Sequence, residues 1–547
     1  MGTPTIYFHP EAYSTKNPKL MGRNAAGESF LRAFLQHTRY KNHWIYSDNQ
    51  QANIFRDIAN SFGRNEEISI VNRSTINKLS QSGTLFYPGP DIFNQAYNRG
   101  SDNSSKWSIC GITHTTSSEQ AMFSISSLIT SPVESWDALI CTSNAVKSNV
   151  EHLLSRQVDY LKNRLGITKL HLPQLPVIPL GIHVDDFSFS DKQKNKARKD
   201  LGLSVNDVVF LYLGRLSFHA KSNPFPLYKA LKIANEKTNK NLVLIECGWF
   251  ANDFIKNAYI NAFNLICPEV KRIVLDGIDN VSRENAWAAS DVFCSLSDNI
   301  QETFGITPLE AKASSLPVVA SDWNGYKDTI RNSIDGFLIP SLMPKPGLGA
   351  DLALRHSTGV DTYDMYCGHT SSLIALDIKS IADSFIQLIN SSTLRTDMGL
   401  AGKQHVRDNF DWSKIITRYQ ELWGELSSIR NSTKAVYSTN VKVHPVEIDP
   451  FESFNSYPTG RLEFHSNLQI CSNHTIDDYR KYIQLDLINY AKYVFPQTED
   501  VEKILLILKD KSLPVSSIIN EFTENKKPFI MRGLNILIKL GILFLVK

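Results

Sequence analysis

The sequence predicts an α/β protein of two doubly wound domains followed by a small, mainly helical carboxyl-terminal extension. Three observations carry this reading. From residue 136 to residue 340, short apolar runs alternate with longer amphipathic stretches. Those runs are continuous rather than alternating in polarity, as strands buried on both faces of a parallel sheet require. A polar, lysine-rich stretch, DKQKNKARKD (191–200), separates two regions of this rhythm, so the domains are expected to join near residues 185–205. At 547 residues, 42% hydrophobic and 21% charged, the chain is long enough for about three or four domains.

In the first region WDALICTS, NAVKSNVEHLLSRQ and QLPVIPLG follow one another between Trp136 and Gly181. In the second, DVVFLYLG precedes a helical pattern from Pro224 to Lys237, then come NLVLIEC, KRIVLD, ENAWAAS, DVFCSLS and LPVVAS. Residues 341–372 read as an irregular Gly/Pro/Ser-containing stretch, either a functional lid or an insertion. Helical periodicity returns in IKSIADSFIQLIN and from Trp412 through Leu426. Residues 431–498 read as a linker or extension, and 499–547 as three short amphipathic segments closed by ILFLV, resembling a winged-helix module.

Charge and cysteine usage exclude several function classes. Lys+Arg 58 against Asp+Glu 55 leaves a formal charge of +3, too small for a global field that recruits nucleic acid or anionic lipid. Asn431 to Lys547 holds 14 basic and 13 acidic residues, so nucleic acid is not an expected partner there; a protein-interaction or packing module is favoured. The run from Lys526 onward does carry five basic residues and no acid. The seven cysteines are scattered without a CxxC pair, which argues against a zinc site and for a reducing compartment. No apolar run approaches the ~18 residues of a membrane span, and Leu534 to Val546 is cut by Lys539. The expected location is therefore cytoplasmic, with peripheral contact at the inner face of the cell membrane left open.

The chemistry is concentrated in QETFGITPLEAKASSLPVVASDWNGYKDTIRNSIDGFLIP (301–340), where Glu302 and Glu310 flank a glycine-bearing helix start. Thr303, Phe304, Gly305, Ile306 and Thr307 would present free backbone N–H groups and the positive end of a helix dipole to a diphosphate, with Gly305 permitting close approach. A carboxylate in the following helix can accept two ribose hydroxyl bonds. The alternative for Glu310 is a ligand-free capping box with Thr307 at the N-cap, Pro308 at N1 and Glu310 at N3. In LYLGRLSFHAK an expected strand ends at Gly214 and is followed by Arg215 and Lys221, two cations suited to a nucleotide diphosphate.

This pattern resembles the Glu-x7-Glu signature of the retaining nucleotide-sugar glycosyltransferases of family 4. The resemblance covers about residues 1–428, most strongly 205–340. It implies a GT-B architecture: an acceptor domain (1–190) and a donor domain (200–410), each Rossmann-like, facing across a cleft, with a last helix at about 411–428 packing back on the first domain. It also implies that Glu310 binds the ribose, that Glu302 lies beside the donor sugar, and that Arg215 and Lys221 hold the phosphates. Gly22 and Gly27 resemble the family's glycine-rich loop, although Arg23 and Asn24 stand where a paired glycine is usual. His114, in GITHT, matches a histidine near the sugar, its alternative being a structural role. IPLGIHVDDF resembles the interdomain segment, with His183 in place of the usual acid and Asp185 and Asp186 beyond it.

The expected activity is transfer of a hexosyl unit from a nucleotide-diphosphate sugar to a glycan or lipid-linked acceptor, in bacterial surface polysaccharide or lipopolysaccharide synthesis. No metal or other cofactor is expected, because fixed cations already offset the phosphate charge. Contact with a membrane or protein partner through the carboxyl-terminal module is a further expectation. Two rivals remain: a sugar-nucleotide binding protein without transferase activity, and a winged-helix regulator whose front domains sense a ligand.

Overall fold

The computed structural model describes residues 3–14, 22–100, 104–433, 446–472 and 474–546. The chain divides into two compact units, Met1–Pro445 and Val446–Lys547. The linker expected at 431–498 therefore falls partly on 434–445, outside the described residues.

The larger unit holds two six-stranded sheets. The first comprises β1 (Thr5–Tyr7), β2 (Asn42–Tyr46), β3 (Glu67–Val71), β4 (Thr84–Phe86), β5 (Ser108–Ile112) and β6 (Ala138–Ile140), in the order β3-β2-β1-β4-β5-β6. The second comprises β7 (Val208–Leu213), β8 (Leu242–Gly248), β9 (Lys271–Asp276), β10 (Val292–Ser295), β11 (Val318–Ser321) and β12 (Gly336–Ile339), in the order β12-β11-β10-β7-β8-β9. Every pairing in both sheets is parallel. Each sheet is thus doubly wound, and its strand order reverses between β1 and β4 in the first and between β7 and β10 in the second.

The strands form where buried apolar runs predict them. Val209, Phe210 and Leu211 of β7 and Val318, Val319 and Ala320 of β11 are inaccessible to solvent. One expected run does not become a strand: QLPVIPLG makes only isolated bridges, Gln174 to Ala138 and Val177 to Cys141. Prolines 173, 176 and 179 have no N–H to donate to a ladder.

The two domains share one core. Phe304, Leu309 and Ala313 of the second pack in the same cluster as Phe30, Phe86 and Trp412. The last helix, Trp412–Ser432, returns to the first domain. There Gly181 admits the Trp412 ring, which an added Cβ would meet at 2.5 Å. Ile182 and the Phe410–Trp412 segment exchange backbone hydrogen bonds of 2.9 and 3.1 Å. Asp186 is bidentate to Arg32 and Asp185 pairs with Arg407, so both acids bind side chains at the domain junction.

Residues 341–376 are more regular than expected. They form a short antiparallel pair, β13 (Ser341–Leu342) with β14 (Ala375–Leu376), around two helices, Ala350–Ser357 and Tyr363–Ser371. The buried Asp361 carboxylate binds Arg355 in two contacts of 2.9 and 2.7 Å and His369 at 3.1 Å, tying the helices together.

The smaller unit contains β15 (Asn467–Ile470), β16 (Leu513–Pro514) and β17 (Leu543–Val546), antiparallel in the order β16-β15-β17. Its core joins Leu468 and Tyr479 to Val501, Ile518, Ile530 and Leu534. The boundary expected at 499 is therefore corrected, because β15 and the helix Ile476–Tyr482 supply part of the same core. Among the described residues, no helix is long and apolar enough to cross a membrane.

Candidate functional site

Arg215 and Lys221 follow β7, and Glu302 follows β10, so these residues gather at the point where the strand order of the second sheet reverses. In open α/β sheets this carboxyl-edge crevice is where ligands bind. Gly214, at φ 153°, ends β7, and its carbonyl lies 2.0 Å from where a Cβ on Gly248 would stand. A Cβ on Gly277 would in turn meet Gly248 Cα at 2.7 Å. Three bare backbone turns therefore pack side by side at the ends of β7, β8 and β9.

The cations are held by the β10 loop. Arg215 Nη2 donates to the Ala220 carbonyl at 2.6 Å and to Gln301 Oε1 at 2.9 Å. Lys221 Nζ donates to Glu302 Oε2 in a largely buried ion pair. Burial raises the Glu302 carboxyl, but Lys221 and the backbone amides of Thr303 and Phe304 outweigh it and hold the group below its ordinary value. Glu302 is thus an anion at neutral pH, and the amides beside it are already oriented toward negative charge. Asn324 Nδ2 donates to the Glu302 carbonyl at 2.9 Å, and Trp323 Nε1 to the Asn299 carbonyl at 3.1 Å, fixing the loop from the far side.

The helix carrying Glu310 runs Ile306–Ala313 with Gly305 at its N-cap, φ +85°. Glu310 is therefore not at N3, and the capping-box alternative is overturned: a left-handed glycine takes the cap that this alternative gave to Thr307. Burial pushes Glu310 up to about 7, with the Arg283 charge opposing it. Arg283 is itself fixed by the Gly277 carbonyl at 2.8 Å and by Asn280. A Cβ on Gly305 would lie 2.0 Å from the Tyr326 ring. Gly305→Ala combines that clash with a left-handed backbone, so a loss of about 1–3 kcal/mol is expected, read as a lower melting temperature of the full chain.

Phe304 is buried against the first domain, and Thr303 accepts a 2.8 Å bond from Ser143 Oγ across the domain junction. Beside it, Asp328 receives the Asn144 amide at 2.7 Å and its side-chain N–H at 3.1 Å, at the start of the helix Asn144–Leu165. Ile306 and Thr307 are half-buried in the first turn of their helix.

On the first domain, His114 follows β5 and its Nε2 lies 3.1 Å from the Pro88 carbonyl. A carbonyl only accepts, so Nε2 carries the proton and Nδ1 is left as an acceptor. Burial lowers the His114 pKa and the Arg23 charge lowers it further, so the ring is neutral. The two glycines expected to bind the donor part company. Gly22 opens the helix Gly22–His37 with nothing within 4 Å of an added Cβ. Gly27 lies inside that helix, where a Cβ would stand 1.9 Å from the Ala12 carbonyl, so packing on the Pro10–Ala12 turn requires its bareness. The loop before Gly22, residues 15–21, lies outside the described residues.

Sequence reasoning missed Gln301, Arg283 and Tyr363. Gln301 stands next to Glu302 in the sequence, but its role as an arm holding Arg215 depends on the pairing of β7 with β10.

This geometry agrees with comparison to known proteins. Residues 193–345 match the family Glycosyl transferases group 1. That segment contains Arg215, Lys221, Glu302 and Glu310. The chain is 32% identical over 169 residues to the UDP-Gal:alpha-D-GlcNAc-diphosphoundecaprenol alpha-1,3-galactosyltransferase of Escherichia coli, covering 30% of this chain and 41% of that protein. It is 25% identical over 246 residues to the phosphatidyl-myo-inositol mannosyltransferase of Mycobacterium tuberculosis, covering 45% of this chain and 53% of that one. It thus spans less than two thirds of the length of either relative. The crystal structure of Anabaena HepE in complex with UDP superposes with a TM-score of 0.52 at 14% identity, over 78% of this chain and 100% of that one. Together with the two doubly wound sheets, this likeness establishes the fold as GT-B.

Proposed function

We propose that the protein is a retaining glycosyltransferase that moves a hexosyl unit from a nucleotide-diphosphate sugar to a glycan or lipid-linked acceptor, in bacterial surface polysaccharide or lipopolysaccharide synthesis. The observation that carries this reading is the meeting of Arg215, Lys221 and Glu302 where β7 and β10 diverge, inside the segment that matches a glycosyltransferase family. The relatives' names support the substrate class: one uses UDP-Gal with a diphosphoundecaprenol-linked acceptor, the other acts on phosphatidyl-myo-inositol.

In this reading the donor diphosphate lies against Arg215, Lys221 and the amides from Thr303 to Thr307. Glu310 accepts the ribose hydroxyls, and Glu302 faces the donor sugar. As the glycosidic bond lengthens, negative charge grows on the leaving phosphate, where two fixed cations and oriented amides are most effective. Transfer then proceeds on one face of the sugar through an oxocarbenium-like transition state, with a diphosphate oxygen taking the acceptor proton. Because Arg215 and Lys221 supply the positive charge, the reaction is proposed to need no metal. The carboxyl-terminal unit, with its near balance of charges, is proposed to contact a protein or membrane partner and not nucleic acid.

Anomeric configuration tests the mechanism: proton NMR of the first product is expected to show the donor's configuration retained, with EDTA without effect. Inversion would overturn the same-face transfer. Glu310 adds a pH test. Its pKa of about 7 means that the carboxylate loses acceptor capacity as pH falls through neutrality, so nucleotide affinity is expected to weaken from pH 8 to pH 6. In Glu310→Gln that dependence is expected to vanish and affinity to be low throughout, as read by calorimetric titration.

A further inference from the structure

The helical hairpin 350–371 belongs to the second domain but reaches the first. Tyr363 Oη lies 2.9 Å from Ser117 Oγ and 3.2 Å from Thr115 Oγ1, in the loop that follows β5 and carries His114. The helix bearing Tyr363 is seated on the site as well: a Cβ on Gly368 would stand 2.9 Å from His219 Cβ, two residues before Lys221. The His219 carbonyl in turn accepts from Asn299 at 2.9 Å, so both loops of the anion site touch the hairpin's footing.

We propose that Tyr363 is an interdomain positioning residue, its hydroxyl latching the His114 loop of the first domain to the hairpin that stands on the Arg215–Lys221 loop of the second. A phenol both donates and accepts, so one hydroxyl can join two hydroxyls. Burial keeps it protonated. The hairpin is thus part of the site's frame, with Tyr363 setting the approach of the two domains at the reacting end of the cleft. The kinetic consequence rests on the proposed transferase function; the latch itself does not.

The test uses the full chain and two variants that break the same contacts from opposite sides, Tyr363→Phe and the pair Thr115→Val/Ser117→Ala. Amide hydrogen exchange in residues 113–118, with and without UDP, is expected to quicken about three- to tenfold in both variants, while the helix Tyr363–Ser371 stays protected. Should Tyr363→Phe melt that helix, the first-domain pair still reads the latch. Nucleotide-sugar turnover is expected to lose a similar factor in kcat with KM within twofold, because Arg215 and Lys221 are untouched. Combining the variants is expected to add little to either one alone. Unchanged exchange in 113–118, or fully additive losses, would overturn the latch. Quickened exchange in a protein that turns over no nucleotide sugar would uphold the latch and refute the transferase reading instead.

Discussion

Lys221→Ala is expected to lower kcat/KM for the nucleotide-sugar donor by about 10²–10³-fold. Lys221 is delivered by the loop after β7 to the edge where β7 and β10 diverge, and its ammonium is held there by Glu302. A charge fixed in place before the reaction costs little reorganisation when the leaving diphosphate gains charge, so its removal falls mainly on the transition state. The variant has a second effect. Without Lys221, burial of Glu302 is opposed only by the Thr303 and Phe304 amides, so its pKa rises toward or above the ordinary carboxylate value. Lys221→Arg keeps the charge but changes its shape, and partial recovery is the expected outcome. Steady-state kinetics of the three proteins at matched thermal stability checks this; equal kcat/KM in Lys221→Ala would remove Lys221 from the site.

Asp335→Ala is expected to cost about 3–5 kcal/mol of stability. Asp335 accepts the Arg331 amide at 2.9 Å and Arg331 Nε at 2.7 Å, and lies 3.0 Å from Lys312 Nζ and 3.3 Å from His405 Nδ1. Lys312 is fully buried on the helix that carries Glu310, where burial pushes it down to about 8 despite its partner. Deleting Asp335 leaves that charge without a counter-ion inside the protein. Burial raises the Asp335 carboxyl, yet His405, Lys312 and Arg331 hold it well below the usual carboxylate range. Its stabilisation is therefore complete above the ordinary carboxylate pKa and is lost as pH falls below it. The gap between wild type and variant is therefore expected to be wide at pH 7 and to narrow in acid. Thermal melts across pH measure this, and replacing the pair together, Lys312→Met with Asp335→Leu, is expected to restore most of the loss.

The second domain was largely legible because its strands are buried on both faces and write themselves as continuous apolar runs. That Arg215, Lys221 and Glu302 meet at one sheet edge was legible because each lies within a few residues of such a run. The hairpin 341–376 was not. The helix Ala350–Ser357 buries no residue, so no apolar stripe marks it, and the acid that organises it, Asp361, finds Arg355 and His369 only once both helices exist. Tyr363 was hidden for the same reason: its partners Thr115 and Ser117 lie about 250 positions away. The sequence left the cap open between two readings because Thr307-Pro308-x-Glu310 satisfies the local capping pattern, while the decision rests on the Tyr326 ring packed against a left-handed glycine. The packing need at Gly27 was equally hidden, because the Ala12 carbonyl that excludes a side chain there comes from a separate turn.

The carboxyl edge of the second sheet is proposed to be a nucleoside-diphosphate site built by Arg215, Lys221, Glu302 and Glu310. Isothermal titration of the full chain with UDP-, GDP-, ADP- and dTDP-sugars, with and without EDTA, tests it most directly. The expected result is saturable binding of one nucleotide class, insensitive to EDTA, weakened strongly by Glu310→Ala and by Lys221→Ala. Binding that survives both substitutions, or no binding of any of the four, would contradict it.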